Sequence, residues 1–155
     1  MPKFIVGDLW ESKADIIVVT TNGYVNANGE LVMGRGAALQ AKNRYPRLPK
    51  LLAAHLNNKP KINSCLVYGF EDVWFRNGVG IGAFQVKYSW KDKADLALIG
   101  YSVVQLNLWL NDTYQSEDVR VAMNYPGIGN GGLNKKRVVQ IVESLDTRVE
   151  IYSFD

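Results

Sequence analysis

Side chains able to do chemistry are few in this chain, and the most suggestive features lie in its backbone. Two stretches are rich in glycine: residues 20–39 (TTNGYVNANGELVMGRGAAL), with Gly23, Gly29, Gly34 and Gly36, and residues 124–133 (NYPGIGNGGL), with Gly127, Gly129, Gly131 and Gly132. Glycine tolerates positive φ and lets a ligand come close to the main chain. A helix that begins just after such a loop adds unpaired N–H groups and the positive end of its peptide dipoles. The first stretch therefore predicts an anion cradle suited to phosphate, and the second a nest for a diphosphate. One such loop reads equally well as a flexible surface turn. Two of them, each joining a strand to a helix, point to a phosphate-bearing ligand.

The charged candidates are more ambiguous. Lys135, Lys136 and Arg137 fall in the first turn of a helix, where a cation costs a few tenths of a kcal/mol, roughly, and an anionic partner would offset that cost. A solvated basic face is the plainer reading. Taken alone, Lys87 reads as a surface lysine, Asp8 as an exposed loop carboxylate, and His55, the only histidine, as a helix residue satisfied by packing or water. Cys65 is the only cysteine, which excludes an intramolecular disulfide and a cysteine-rich metal site. No metal ligands cluster, so a metal-independent reaction without a cofactor is expected.

The elements that would position these residues follow from periodicity. Lys3–Val6 reads as a short strand closed by Gly7-Asp8-Leu9, and residues 16–19 (IIVV) as a strand apolar on both faces, hence covered by helices on each side. The first glycine loop leads to a helix that should end near Tyr45, because Pro46 cannot continue it, and a second helix is predicted to begin around Pro49. Residues 65–70, 73–75 and 79–86 are strand-like, with Asn77-Gly78 as a hairpin turn. Asp92 is the expected cap of a long helix, with Asp95 in its first turn and Leu96, Ile99, Val103, Leu106 and Leu110 on its buried stripe. Residues 119–123 and 149–152 complete the strands, and Asn134 should cap a helix bearing Val138, Val139, Ile141, Val142 and Leu145. Strands alternating with helices, plus one hairpin, predict an α/β fold of three layers, α/β/α, around a central mixed sheet. Both glycine loops then lie beyond the carboxyl ends of strands, where ligands collect in such sheets.

Length and composition bound the rest. The 155 residues suit one domain spanning 1–155, and 47% hydrophobic with 21% charged residues excludes a disordered chain. The N-terminus lacks a cleavable leader pattern and no apolar run reaches membrane-spanning length, so no membrane partner, a cytoplasmic location and a monomer are expected. A net charge of +3 accords with phosphate-bearing ligands but is too small to establish nucleic-acid binding.

In order along nearly the whole chain, the motifs resemble those of the macro domain family. Gly7-Asp8-Leu9 is similar to its GD(I/L) start, residues 14–22 to its AD-x-(I/L)-V…N strand, residues 32–37 (VMGRGA) to its glycine-rich approach to a helix, and residues 126–133 to its PxIGxG phosphate loop. Val32-Met33-Gly34-Arg35-Gly36 together with Phe84-Gln85-Val86-Lys87 resembles the branch of DNA ADP-ribosyl glycohydrolase antitoxins and terminal ADP-ribose protein glycohydrolases. The resemblance implies ADP-ribose or an ADP-ribosylated substrate as ligand, including ADP-ribosylated nucleic acid as a possible partner. It implies binding residues Asp8, Leu9, Thr20, Asn22, Met33, Gly34, Arg35, Gly36, Pro126, Ile128, Gly129, Asn130 and Gly131. Within that set Asp8 would accept from the adenine amino group, Asn22 would contact the distal ribose, and the backbone at residues 34–36 and 128–131 would hold the diphosphate. Asn26 or Asn28 could take the place of Asn22, since the first loop carries extra residues. Lys87 occupies the place of a lysine that acts at the anomeric carbon. The second loop is shorter than the family's usual form and lacks an aspartate that some protein-directed members carry, which leaves a second catalytic group unassigned. The implied function is ADP-ribosyl glycohydrolysis; the alternatives are a non-catalytic ADP-ribose or nucleotide-binding module and a phosphatase of ADP-ribose 1''-phosphate.

Overall fold

The computed structural model describes residues 1–127 and 133–154. Its elements run β1 (Lys3–Val6), a 3-10 turn (Leu9–Glu11), β2 (Ile16–Thr21), α1 (Gly36–Arg44), α2 (Leu48–His55), β3 (Lys61–Ile62), β4 (Cys65–Leu66), β5 (Phe70–Trp74), β6 (Gly80–Gln85), α3 (Leu96–Tyr114), β7 (Val121–Asn124), α4 (Lys135–Val142) and β8 (Val149–Ser153). Six strands form one sheet in the order β1-β8-β7-β2-β6-β5, and β3-β4 make a separate small pair. Every neighbouring pair in the large sheet is parallel except β5–β6, which is antiparallel, so the sheet is mixed as expected.

The central strand shows why the chain forms three layers. Successive side chains of a strand point to opposite faces. Ile16 and Val18 enter a core with Ile99, Leu106 and Leu110 of α3 and Val138 and Val142 of α4. Val19 enters the opposite core, with Ala38 and Ala41 of α1 and Leu48 and Leu52 of α2. Ile16, Val18 and Val19 are fully buried, and burying such a side chain is worth about 1.5–3 kcal/mol.

Several boundaries differ from the expectations. The long helix is capped by Asp95, whose side chain accepts from Leu98 N at 3.0 Å; Asp92, three residues before that cap, instead accepts from Ser89 N at 3.2 Å. The cause is a tie to the sheet, because Asp95 N donates to Val86 O at 2.8 Å and fixes where the chain turns into α3. Residues 65–70 are not one strand. The buried Gln85 carboxamide accepts from Tyr68 N at 2.9 Å and Gly69 N at 3.1 Å, which takes those donors out of any ladder and separates β4 from β5. The strand expected at 16–19 continues to Thr21, so Thr20 belongs to the sheet rather than to the loop, and the strand expected at 119–123 is Val121–Asn124. The hairpin at Asn77-Gly78, the end of α1 before Pro46 and the Asn134 cap on α4 are as expected.

Candidate functional site

The carboxyl ends of β2, β6 and β7 converge on a cavity of about 350 Å³. Thr20, Thr21 and Asn22, at the end of β2, line it, followed by Val32 and Met33 from the far arm of the glycine loop. Asn22 shapes this wall. Its Nδ2 donates to Val32 O at 2.9 Å and its Oδ1 accepts from Tyr24 N at 2.9 Å, drawing the two arms of the loop together. Tyr68, whose hydroxyl donates to Asn22 O at 2.7 Å and is hydrogen-bonded to Thr21 Oγ1, supports the same corner from below. Burial raises the Tyr68 phenol well above its ordinary range, so it acts here as a neutral donor. Asn26 does different work: its Oδ1 accepts from Asn28 N at 3.0 Å and Glu30 N at 3.1 Å, closing the loop tip. Neither Asn26 nor Asn28 lines the cavity.

The second wall is the start of α1, where Gly34, Arg35, Gly36, Ala37 and Ala38 face the cavity. Arg35 occupies the cap position in extended backbone and makes no side-chain cap hydrogen bond. The first helical bond is Leu39 N to Arg35 O at 3.2 Å, so the N–H groups of Gly36, Ala37 and Ala38 have no acceptor within the helix. Gly36 has φ +58, a left-handed conformation that bulky side chains resist. An uncapped first turn opening into a cavity attracts anions through its N–H groups and dipole.

The third wall follows β6. Val86 N donates to Thr21 O at 2.9 Å, which registers this segment against β2, and Lys87 and Trp90 line the cavity just beyond. Lys87 Nζ donates to Trp90 O at 3.1 Å. Burial pushes the Lys87 amine below its ordinary value and the Arg35 guanidinium pushes it further; Asp92 opposes both. Because β6 lies between β2 and β5, Lys87 emerges from the carboxyl end of an interior strand, not from the lateral edge of the sheet. Gln85, fully buried, donates from Nε2 to Leu66 O at 2.7 Å and contacts Lys87 O at 3.3 Å, anchoring the strand end that carries Lys87.

Asn124 and Gly127 complete the lining. Asn124 joins β7 to β2: its Oδ1 accepts from Thr20 N and its Nδ2 donates to Thr20 Oγ1, both at 3.0 Å. Gly127, with φ +78, accepts at its carbonyl from Leu133 N at 2.8 Å, which closes the stem of the second glycine loop. Of the sequence-derived site residues, the fold thus gathers Thr20, Asn22, Met33, Gly34, Arg35, Gly36 and Lys87 around one cavity. Asp8, Leu9 and Pro126 are not part of that lining. Asp8 caps the 3-10 turn, accepting from Trp10 N at 2.9 Å, Leu9 is buried in the core and Pro126 is buried beside Gly127. Ile128, Gly129, Asn130 and Gly131 lie outside the described residues. Thr21, Asn124 and Trp90 were missed by sequence reasoning, and only the position of Asn124 at the head of the second glycine loop hinted at a role.

A shallower hollow of about 190 Å³ lies along the same end of the sheet, between Phe4, Val6, Tyr125, Lys135 and Ser153. There the Lys135 ammonium sits 4.9 Å from the centroid of the Tyr125 ring, so one of the three basic residues has an aromatic partner, while Lys136 and Arg137 are exposed. Among the described residues no cluster of His, Cys, Asp or Glu could hold a metal ion, and no helix is long and apolar enough to cross a membrane. Among the described residues, the cavity lining contains no carboxylate and no imidazole, and His55 lies exposed at the end of α2.

No protein-family model and no curated protein matches this chain. Solved structures do. The macrodomain of Mycobacterium tuberculosis DarG superposes with a TM-score of 0.72 at 26% identity, over 98% of this chain and 97% of that one. The macrodomain of Thermus aquaticus DarG gives 0.71 at 24% identity, over 100% and 98%. Thermosipho africanus DarTG, solved in complex with ADP-ribose, gives 0.70 at 19% identity over 96% of this chain, which spans 40% of that longer one. The chain has the macro domain fold, and it resembles the DarG macrodomains in particular, as its motifs led us to expect.

Proposed function

We propose, with the macro domain fold as premise, that this protein binds ADP-ribose across the carboxyl ends of β1, β7, β2 and β6 and hydrolyses the bond at C1 of the distal ribose. It would thereby release ADP-ribose from a nucleic-acid or protein acceptor. The observation that carries the reading is the meeting, in one cavity of about 350 Å³, of the uncapped first turn of α1 with Lys87. A diphosphate suits the helix start, and a ribose bonded to it would reach the lysine. In the sheet order, β1 and β6 are separated by β8, β7 and β2, a span of about 19 Å at the usual strand spacing. An elongated ligand laid across that span would place adenine toward Asp8 and the hollow beside Val6, and the distal ribose toward Lys87.

At that end the lowered amine offers two roles. Uncharged, it attacks C1 as the acceptor departs with the bonding electron pair, and water then displaces the lysine to give free ADP-ribose. As an ammonium it stabilises negative charge developing on the departing acceptor. A second reading, a binding module without turnover, draws support from the described lining of the cavity, whose residues include neither a carboxylate nor an imidazole to serve as a second acid or base. The phosphatase reading gains nothing from His55, which stands outside the cavity. Offering the protein ADP-ribosylated DNA, glutamate-linked ADP-ribosyl protein and ADP-ribose 1''-phosphate separates the three. Release of ADP-ribose from either conjugate supports the hydrolase. Binding without release supports the module, and phosphate release from the third supports the phosphatase.

A further inference from the structure

Four tryptophans are present, and three have occupied rings. Trp10 donates through Nε1 to Gln40 at 2.8 Å and carries the Arg44 guanidinium 4.4 Å from its ring centroid. Trp74 donates to Asp72 at 2.7 Å and covers Gly80, while Trp109 packs between Phe70 and Tyr114. Trp90 has neither a side-chain hydrogen bond nor a ring or cation partner among the described residues, and it is 51% exposed although it lines the cavity. Its backbone is nevertheless held. Its carbonyl accepts from Lys87 Nζ, Ser89 and Asp92 close the next turn on each other, and Asp95 N ties the end of the segment back to Val86 O. An open, half-exposed indole on a held backbone therefore stands at the cavity, three residues after Lys87. Arg35 and Lys87 share the cavity with it, Lys91, Asp92 and Lys93 follow it in sequence, and Asp95 caps the helix beyond.

We infer that Trp90 is a specificity-determining residue that stacks on a planar leaving group, and that the group it selects is a nucleobase. The inference rests on the hydrolase reading, because it needs the distal ribose at Lys87. A base joined to C1 of that ribose would project past Lys87 to the mouth of the cavity, where the indole lies. Aromatic rings hold nucleobases by their faces with little regard to sequence, whereas the cationic neighbours attract a phosphate and a carboxylate alike and leave the discrimination to the ring. A glutamyl acceptor has no planar ring of comparable area to lay on the indole.

The test compares dissociation constants in the parent protein, with the C1 linkage of each conjugate replaced by a non-hydrolysable carbon link, for three probes: free ADP-ribose, ADP-ribose joined through C1 to a single nucleoside, and ADP-ribose joined to the glutamate of a short peptide. A single nucleoside is chosen so that phosphate contacts to the lysines do not contribute. The expected preference for the nucleoside conjugate over free ADP-ribose is about 5- to 150-fold. Adding Trp90→Ala brings that ratio to within two-fold of one, Trp90→Phe preserves most of it, and the peptide conjugate keeps its ratio throughout. A nucleoside preference absent from the start, or one that survives Trp90→Ala, overturns the inference. An equal fall for the peptide conjugate does so as well, by making Trp90 a support common to every ligand. Failure of free ADP-ribose to bind at all would overturn the underlying reading of the site instead.

Discussion

Gly127 stands at the stem of the second glycine loop, and adding one methyl group there tests whether that stem is built as described. Its φ of +78 is left-handed, which costs an L side chain roughly 1–2 kcal/mol. A Cβ would also come within 2.8 Å of Ile99 Cδ1 and 3.1 Å of Leu133 Cδ1. Both are core-facing side chains, and forcing an extra carbon into a packed core costs about 1–3 kcal/mol. Gly127→Ala should therefore lose about 2–5 kcal/mol, on the order of 10 °C in Tm for a chain of this length. Two controls divide that figure. Gly78 has φ +83 and nothing within 4 Å of where a Cβ would sit, so Gly78→Ala should lose about 1–2 kcal/mol from backbone strain alone. Gly34 has neither the strain nor a neighbour within 4 Å, and Gly34→Ala should fall within about 0.5 kcal/mol of the parent. Urea unfolding of the three variants gives the comparison. If Gly127→Ala loses no more than Gly78→Ala, the packing of Gly127 against Ile99 and Leu133 is not as described.

Lys87→Ala should abolish release of ADP-ribose while changing its affinity little, the pattern of a group acting in the transition state, as single-turnover assays with parallel calorimetry will show. Because Arg35 helps to depress the Lys87 amine, the limb of the pH–rate profile due to that amine should move to higher pH in Arg35→Ala; an unmoved limb would assign it to another group. The exposed pair Lys136 and Arg137 should matter only for a nucleic-acid acceptor: their double alanine variant should slow release from ADP-ribosylated DNA at low salt, an effect that shrinks as salt rises. Glu150 is paired with Arg120 at 2.9 Å and its carboxyl is held below the ordinary range by hydrogen bonds from Arg120 and Tyr152, against the opposing effect of burial. A depressed folded-state value means that its stabilisation is present above the unfolded value, near about 4.3, and is lost as pH falls through the folded one. Glu150→Gln should accordingly flatten the acid limb of Tm against pH.

Much of the fold was legible because it is set by local pattern. The unbroken apolar run that opens the strand Ile16–Thr21 declares a strand covered on both sides, Asn134 declares the head of α4, and Asn77-Gly78 declares the hairpin. What could not be read depends on partners distant in sequence. Asp92 and Asp95 are equally good caps on paper, and the choice falls to Asp95 because its N–H reaches Val86 O just beyond β6. The break between β4 and β5 comes from the carboxamide of Gln85, 16 and 17 residues away from the two amides it accepts from. The candidate site divides in the same way. The glycines of the first loop announce themselves by type and spacing and Lys87 only by its place in a motif that resembles the family's, whereas Asn124 acts on Thr20 across 104 residues and Trp90 is distinguished only by what fails to touch its ring. Asn22 was expected at a sugar, but its amide spans Tyr24 N and Val32 O, so its first role is to build the wall.

The central claim is that the open first turn of α1 receives the diphosphate of ADP-ribose. Calorimetric titration of ADP-ribose into the parent protein and into Gly36→Val tests it most directly. Valine is strained at φ +58, and a turn that relaxes to relieve that strain carries its N–H groups away from the ligand. The account predicts one binding site per chain in the parent and at least about ten-fold weaker binding in a Gly36→Val variant that still unfolds cooperatively, a loss of about 1.4 kcal/mol or more. No binding to the parent at millimolar ADP-ribose, or equal affinity in the folded variant, would contradict it.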